Sequence, residues 1–280
     1  MKCSRTLVAL VAGGLVLSGA VAAGMAVKAL SQRPGAALEK GSVLELPGGA
    51  LAVAGDGFEV VVSSSSAQVS PAVTVEGEGF RRDSRARPGT VGLELQPARP
   101  GQPGGSLLRI QTPQRGSLTL TLVGKGRLVL EGADLAELHV GGVSSPLQVQ
   151  VPEDGGSVEH MEFSHITGGL VAEGLGNLGV ESILIDSMTG DYTLDFAGPA
   201  AGSCAVVVRA AVGSGVLRIP ETRSAEVVVG TVIGNVLPGS FTATGSGTWT
   251  TAAGTAEGGG RLRIDMNSVV GQIQLVEVQQ

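Results

Sequence analysis

The feature that most constrains this chain is a glycine set just ahead of a short alternating apolar run, repeated from one end to the other. It occurs as GSVLEL at Gly41, GLELQ at Gly92, GSLTLTL at Gly116, GRLVLEG at Gly126, GDYTLDF at Gly190, GSGVLRIP at Gly213, GRLRID at Gly260 and GQIQLVEV at Gly271. Alternation with a period of two marks a strand that buries one face. In DYTLDF it turns Tyr192, Leu194 and Phe196 inward and Asp191, Thr193 and Asp195 toward solvent. The leading glycine supplies a corner, through positive φ or a close backbone approach. Gly168, Gly190, Gly213 and Gly234 open phrases about 20 to 25 residues apart, the spacing of stacked coils.

Composition fits narrow layers. Of 280 residues, 45 are glycine and seven aromatic, 42% are apolar, mostly Val, Leu, Ala and Ile, and the mean hydropathy is +0.30. Such a chain is too apolar to be disordered, and its small aliphatic side chains suit thin repeated layers. Residues 42–105 read as an N-terminal β region of five strands, VLEL, ALAV, FEVVVS, AVTVEG and VGLELQ, closing on the Pro/Gly-rich PARPGQPGG. Residues 106–280 read as a nearly unbroken series of short strands, and no segment after Lys28 keeps a helical period. The expected fold is all-β: a β-solenoid with glycine corners, a strand-rich region ahead of it, and an apolar helix at the N-terminus.

That N-terminus sets the compartment. Lys2 and Arg5 precede an uncharged stretch of 22 residues, Thr6 to Val27, within which Ala20-Val21-Ala22 fits a small-residue cleavage site. About 20 apolar residues also suffice to cross a bilayer, so residues 1–30 are a signal peptide or a membrane anchor, and 31–41 a linker. Either way the remainder lies outside the cytoplasm, secreted or anchored. Cys3 precedes the apolar core, whereas the modified cysteine of a lipoprotein follows it. Cleavage after Ala22 leaves a formal charge of 17 − 25 = −8, which argues against nucleic-acid binding. Cys204 would then be the only cysteine, placed among Ala and Val as a small buried side chain rather than a reactive thiol.

The motifs that suggest chemistry have a plainer reading. GLGNLG, Gly174 to Gly179, has dinucleotide-binding spacing but runs into the strand-like VESILID instead of a helix. Asp186, Asp191 and Asp195 suggest a glycosidase-like or calcium-binding set. Asp191 and Asp195 stand about 13 Å apart on one strand, beyond the 5 to 9.5 Å or so of paired acids, so a solvated face is expected. His139, His160 and His165 lack metal-ligand spacing, and no G-x-S-x-G is present. No catalytic, cofactor or metal residue is therefore assigned. Two features remain as contacts. FRRDSRARPG, read as a loop, gathers Arg81, Arg82, Arg85 and Arg87 for an anionic partner. Trp249, in the loop-like GSGTWTTAAG, is an exposed contact or an aromatic plug over the last coil.

HITGGLVAEGLGN, MTGDYTLDFAGPAAG, AAVGSGVLRIPE and RLRIDMNSVVGQIQL, in that order, resemble the bacterial "toast-rack" and "putative adhesin" β-solenoid domains, related to the C-terminal domain of LiaF-like cell-wall-stress proteins. The resemblance spans about residues 160 to 275. It implies an envelope-associated module with no catalytic motif to transfer. The expected function is thus a non-catalytic envelope interaction or regulatory module. Its partners would be an envelope protein or anionic polymer, or the membrane through an uncleaved N-terminus. The alternatives are a carbohydrate-active β-helix enzyme and a self-assembling surface protein or adhesin. The edge of the final coil, at VEVQQ, is where a strand from another chain would add.

Overall fold

The computed structural model describes residues 37–68, 70–83, 90–95, 106–199, 202–209, 211–251, 253 and 260–279. The apolar helix expected over residues 1–30 lies outside them, as does most of the linker 31–41. Among the described residues only two three-residue 3-10 turns, Pro47–Gly49 and Leu175–Asn177, depart from strand and loop.

Period-two sequences form strands that pair in parallel into two sheets, A and B, whose apolar faces meet in one continuous core from Leu46 to Leu275. The chain runs from a strand of sheet A to one of sheet B, and nine such rungs stack in space. Rung 1 joins Thr90–Leu95 to Ser106–Pro113, and rung 2 joins Ala50–Ala54 to Phe58–Ser65. Rung 3 is Gly116–Val123 with Gly126–Leu130, rung 4 Ala133–Gly141 with Leu147–Gln150, and rung 5 Gly156–Thr167 with Leu170–Glu173. Rung 6 is Leu178–Thr189 with Tyr192–Asp195, and rung 7 is Cys204–Val208, continued by Ala211–Val212, with Gly215–Pro220. Rung 8 is Leu262–Val270 with Ile273–Val278, and rung 9 is Ala225–Ile233 with Val236–Leu237.

Along the chain these rungs come in the order 2, 1, 3, 4, 5, 6, 7, 9, 8. At both ends the outermost pair is transposed. The first rung made by the chain is clamped between rungs 1 and 3, and the last between rungs 7 and 9. The edge expected at VEVQQ therefore belongs to an inner rung. Ile273–Val278 matches all six residues of Gly215–Pro220 on one side, while on the other Val236–Leu237, cut short by Pro238, pairs with Ile273 and Gln274 alone. Strands from both sides of residues 97–105 share both sheets.

Antiparallel strands cover both sheets at the rung 1 end and sheet A at the rung 9 end, which limits the edges open to aggregation; in sheet B Val236–Leu237 is itself outermost. At the rung 1 end Phe80–Asp83 pairs with Thr90–Leu95, and Val43–Glu45 pairs with Ala72–Val75, itself paired with Ser106–Pro113. Ala37 bridges to Arg81, and Leu38 and Leu44 pack on the core. At the rung 9 end Thr248–Thr250 pairs with Glu226–Val228 and with Thr242–Gly245. Two stretches expected to be loops thus begin or end as capping strands. The buried Phe80 and the half-buried Trp249 explain why, since each has a strand neighbour to pack against.

The corners explain the glycines. Gly190, Gly213, Gly271 and Gly234 stack at the turn from sheet A to sheet B, and the backbone N–H of each of the first three donates to the next rung, Gly190 to Val212 O at 2.8 Å, Gly213 to Val270 O at 2.9 Å and Gly271 to Ile233 O at 3.0 Å. A Cβ on Gly213, whose φ is 143°, would lie 2.2 Å from the carbonyl oxygen of Gly190. Inside, glycine makes room for aromatics. Phe58 lies in register with Gly126 and Tyr192 with Gly215, and a Cβ at either glycine would fall within about 2.0 to 2.1 Å of the ring carbons.

Candidate functional site

Of the acids suggested by the sequence, Asp191 ties one rung to the next. Asp191 Oδ1 accepts the backbone N–H of Ser214 at 2.8 Å, one rung on. Asp56 Oδ1 does the same for Lys125 N–H at 2.7 Å at the equivalent corner. Asp195 Oδ1 accepts Ala197 N–H at 2.9 Å, and its other oxygen faces Arg218, its register partner on rung 7, at 4.0 Å. Asp186 is half-buried opposite Ser164. Trp249 stands four strands away from Leu178–Thr189, about 19 Å at the usual 4.8 Å spacing. No aromatic-flanked carboxylate pair is assembled from these residues.

The histidines are spread in the same way. His139 Nδ1 faces Glu162 Oε2 at 3.1 Å and its Nε2 lies 3.3 Å from Ser164 Oγ, while His160 Nδ1 lies 2.8 Å from Ser182 Oγ. His165, at φ 54°, is the bend that lets Phe163 and Ile166 both turn inward. Among the described residues no three His, Cys, Asp or Glu side chains form a metal-sized group. GLGNLG is a corner: Gly174 takes φ 73°, Leu175 and Gly176 are buried, and Asn177 Nδ2 donates to Val151 O at 3.0 Å on the neighbouring rung. With only a three-residue turn it presents no helix N-terminus to a pyrophosphate.

Charges on the outer faces pair across the strands. Arg109 bridges Glu76 and Glu131, Arg127 meets Glu59, and Glu226 receives both Arg261 and Arg263. Such exposed pairs fix register more than they stabilise. A shallow depression of about 550 Å³ opens at the start of sheet B on rungs 2 to 4, lined by Phe58, Glu59, Lys125, Arg127, Pro146 and Gln148.

Two polar groups are buried in ways the sequence did not signal. Tyr192 packs its ring in the core with its hydroxyl unpartnered, and burial pushes the phenol above its usual pKa. Arg223 is 8% exposed, its guanidinium 5.9 Å over the Phe196 ring with Nε unpartnered, and burial holds its pKa below the usual value. A guanidinium stacked on an aromatic face recovers part of its desolvation cost.

Cys204 sits nearby, 3% exposed, its thiol pushed up to about 11 by burial, against the opposing charge of Arg223. This is the inert buried thiol expected. The folded pKa lies above the 9.0 of the free thiol, so the stabilisation is intact below about pH 9 and is lost as pH rises through about 11. Urea unfolding should show wild type losing about 2 kcal/mol more than Cys204→Ala over that window. Parallel pH profiles of the two proteins would contradict the assignment.

Of the proposed contact residues, Arg81 and Arg82 lie on Phe80–Asp83, the outermost strand of sheet A, while Arg85 and Arg87 fall outside the described residues. Arg81 is half-buried opposite Glu94 and Arg82 exposed opposite Leu93, so successive guanidinia leave opposite faces of the strand. Trp249 is half-buried against the core, opposite the fully buried Val227 of rung 9. It plugs the end of the stack.

No protein-family model matches the chain, and no curated protein does. Among solved structures it is similar to a "putative cell adhesion protein" of Clostridium sporogenes, at 11% identity over 85% of this chain and 99% of the other, with a TM-score of 0.35. It is also similar to a "putative adhesin" of Bacteroides fragilis, at 12% identity over 84% and 95%, TM-score 0.35. A further "putative adhesin", of Parabacteroides merdae, matches at 10% identity over 88% and 100%, TM-score 0.30.

Proposed function

We propose that the chain is an exported, non-catalytic envelope module: a β-solenoid of the toast-rack and adhesin type, which binds an envelope protein or polymer through its faces or edges. One observation carries this reading. The acids that suggested chemistry each hold backbone, Asp191 the Ser214 N–H one rung on and Asp195 the Ala197 N–H of its own turn, while the outer face of sheet A carries side chains in register from rung to rung, as in Glu137, His160, Ser182 and Ala205. A flat surface that repeats every 4.8 Å or so suits a partner that is itself extended or repetitive.

Export follows from the apolar segment at residues 6–27. The test is co-sedimentation of the purified chain with isolated cell-wall sacculi, with the Arg81, Arg82, Arg85 and Arg87 quadruple Ala variant beside it. Binding that falls with salt and is weakened in the variant supports recognition of an anionic polymer; absence of sedimentation rejects polymer binding. A second reading, self-association through the stack ends, is favoured by their exposed apolar residues, Val43 at one end and Ile233 and Leu237 at the other. Light scattering that finds only monomer at high concentration removes it.

A further inference from the structure

The column of corners shows what the rung 9 end lacks. Where one rung meets the next, two backbone N–H groups donate forward: Gly190 and Tyr192 to Val212 O and Ser214 O, Gly213 and Gly215 to Val270 O and Gln272 O, Gly271 and Ile273 to Ile233 O and Asn235 O. On rung 9 the equivalent pair is Gly234 and Val236. Since the carbonyls of Ile233 and Asn235 are turned toward rung 8, the N–H and C=O of Gly234 and Val236 are turned away from it, as alternate residues of a parallel strand are. No strand among the described residues takes them up. Val236–Leu237 ends sheet B, while the capping Thr248–Thr250 pairs with Glu226–Val228, and beyond it Gly247 O reaches only Val229 N–H. The side chains agree. Val212 and Val270, just before their corner glycines, are half-buried, whereas Ile233 in the same place is 57% exposed and Leu237 is 45% exposed.

This edge dictates its occupant. Pairing along it continues the ladder, so the occupant is an extended segment that bends with the corner. At the bend it has to carry glycine. A Cβ on Gly213 would lie 2.2 Å from Gly190 O, one on Gly271 2.0 Å from Gly213 O, and one on Gly234 1.9 Å from Gly271 O, so a side chain one level further on would strike Gly234 O in the same way. Two residues to either side of the bend the column is inward and apolar, as Val269 and Ile273 are around Gly271. A folded second copy does not offer such a segment from Gly213 or Gly271, since both corners are already paired on each side. We propose that the rung 9 corner, from Ile233 to Leu237, is a docking edge for an extended apolar-x-Gly-x-apolar segment of a partner protein, which adds to the stack as a further rung. The proposal rests on the reading of the chain as a binding module, and moves the site of strand addition from VEVQQ to Gly234.

The test pairs the full chain with a fluorescein-labelled peptide of residues 267–275, NSVVGQIQL, the segment that meets rung 9 from its other side. Fluorescence anisotropy is expected to show saturable binding, weakened about tenfold or more when the peptide carries Gly271→Ala. In the protein, Val236→Pro removes an N–H that faces away from rung 8 and should weaken binding as much without moving the urea midpoint. Ile233→Arg, at an exposed position, should do the same by placing a charge on the edge, and it decides the matter where Val236→Pro does not fold. Equal affinity for the two peptides, equal affinity of the Ile233→Arg chain, or no saturable binding overturns the docking edge. So does a dimer in sedimentation velocity that Ile233→Arg dissociates, because it gives the edge to a second copy. Co-sedimentation with sacculi is scored apart: its failure with peptide binding intact removes polymer binding alone, and the converse removes the docking edge alone.

Discussion

Gly213→Ala is expected to destabilise the fold by about 4 kcal/mol, the sum of a strained left-handed residue and a backbone overlap. At φ 143° an L side chain is strained before any neighbour is considered, and the new Cβ would sit 2.2 Å from Gly190 O and 2.5 Å from its carbonyl carbon. Both obstacles are backbone atoms and cannot swing aside. The corner cannot open either, since Gly190 N–H donates to Val212 O and Gly213 N–H to Val270 O, fastening it to rungs 6 and 8. Gly202→Ala is the control: nothing lies within 4 Å of a Cβ there, so no loss is expected, and a gain of about 0.5 kcal/mol is in order from a stiffer unfolded chain. Denaturant unfolding of the two variants decides the matter. Equal midpoints would show that the glycine column is not the constraint we describe.

Truncation before residue 260 should leave no folded protein. In a stack built in chain order, removing the last segment merely uncovers the rung beneath. Here it empties a slot between rungs 7 and 9, stripping both of the partner they share. Leu262, Ile264, Met266, Val269, Ile273 and Leu275 are all within 1% of full burial. Six such side chains at about 1.5 to 3 kcal/mol each are worth about 9 to 18 kcal/mol, as much as the whole stability of a typical domain. Circular dichroism and urea unfolding of the truncated chain give the answer, and a cooperative β transition close to that of wild type would refute the transposed order. Supplying residues 260–280 as a peptide is expected to restore the transition, as a donated strand does.

Much of this architecture was legible in the residues. Gly215–Pro220 was readable as a corner followed by Val216 and Arg218 facing out and Leu217 and Ile219 facing in, because alternation alone decides which side a strand buries. Cys204 was readable as a buried thiol from its Ala and Val neighbours. The order of the rungs was not. Gly234 follows Gly213 at the same spacing that separates true neighbours, yet Gly271 is what stacks against Gly213, so closely that a Cβ on Gly271 would lie 2.0 Å from Gly213 O.

Spacing along a chain cannot say which coil lies next in space. Strand length can: Gly215–Pro220 needs a six-residue partner, and Pro238 denies it one from Val236–Leu237. The aromatic and glycine pairs, Phe58 with Gly126 and Tyr192 with Gly215, were a second signal of neighbouring rungs, visible only when residues 68 and 23 positions apart are compared. For the candidate site, the sequence placed the arginines correctly in one run but not their strand, since a strand of four residues with two arginines carries almost no alternation to read.

The transposed ends also govern how the molecule answers a mechanical pull. A force applied through the N-terminal tether meets Val43–Glu45 and then rung 2, whose two strands are hydrogen-bonded along both edges; one applied at the C-terminus meets Ile273–Val278, paired along its whole length on one edge and at Ile273 and Gln274 on the other. Extracting rung 2 must therefore shear two interfaces together, where an outermost strand would unzip along one. A protein held by one end at a surface and tugged by what it binds would yield at its capping strands first and keep its ladder intact.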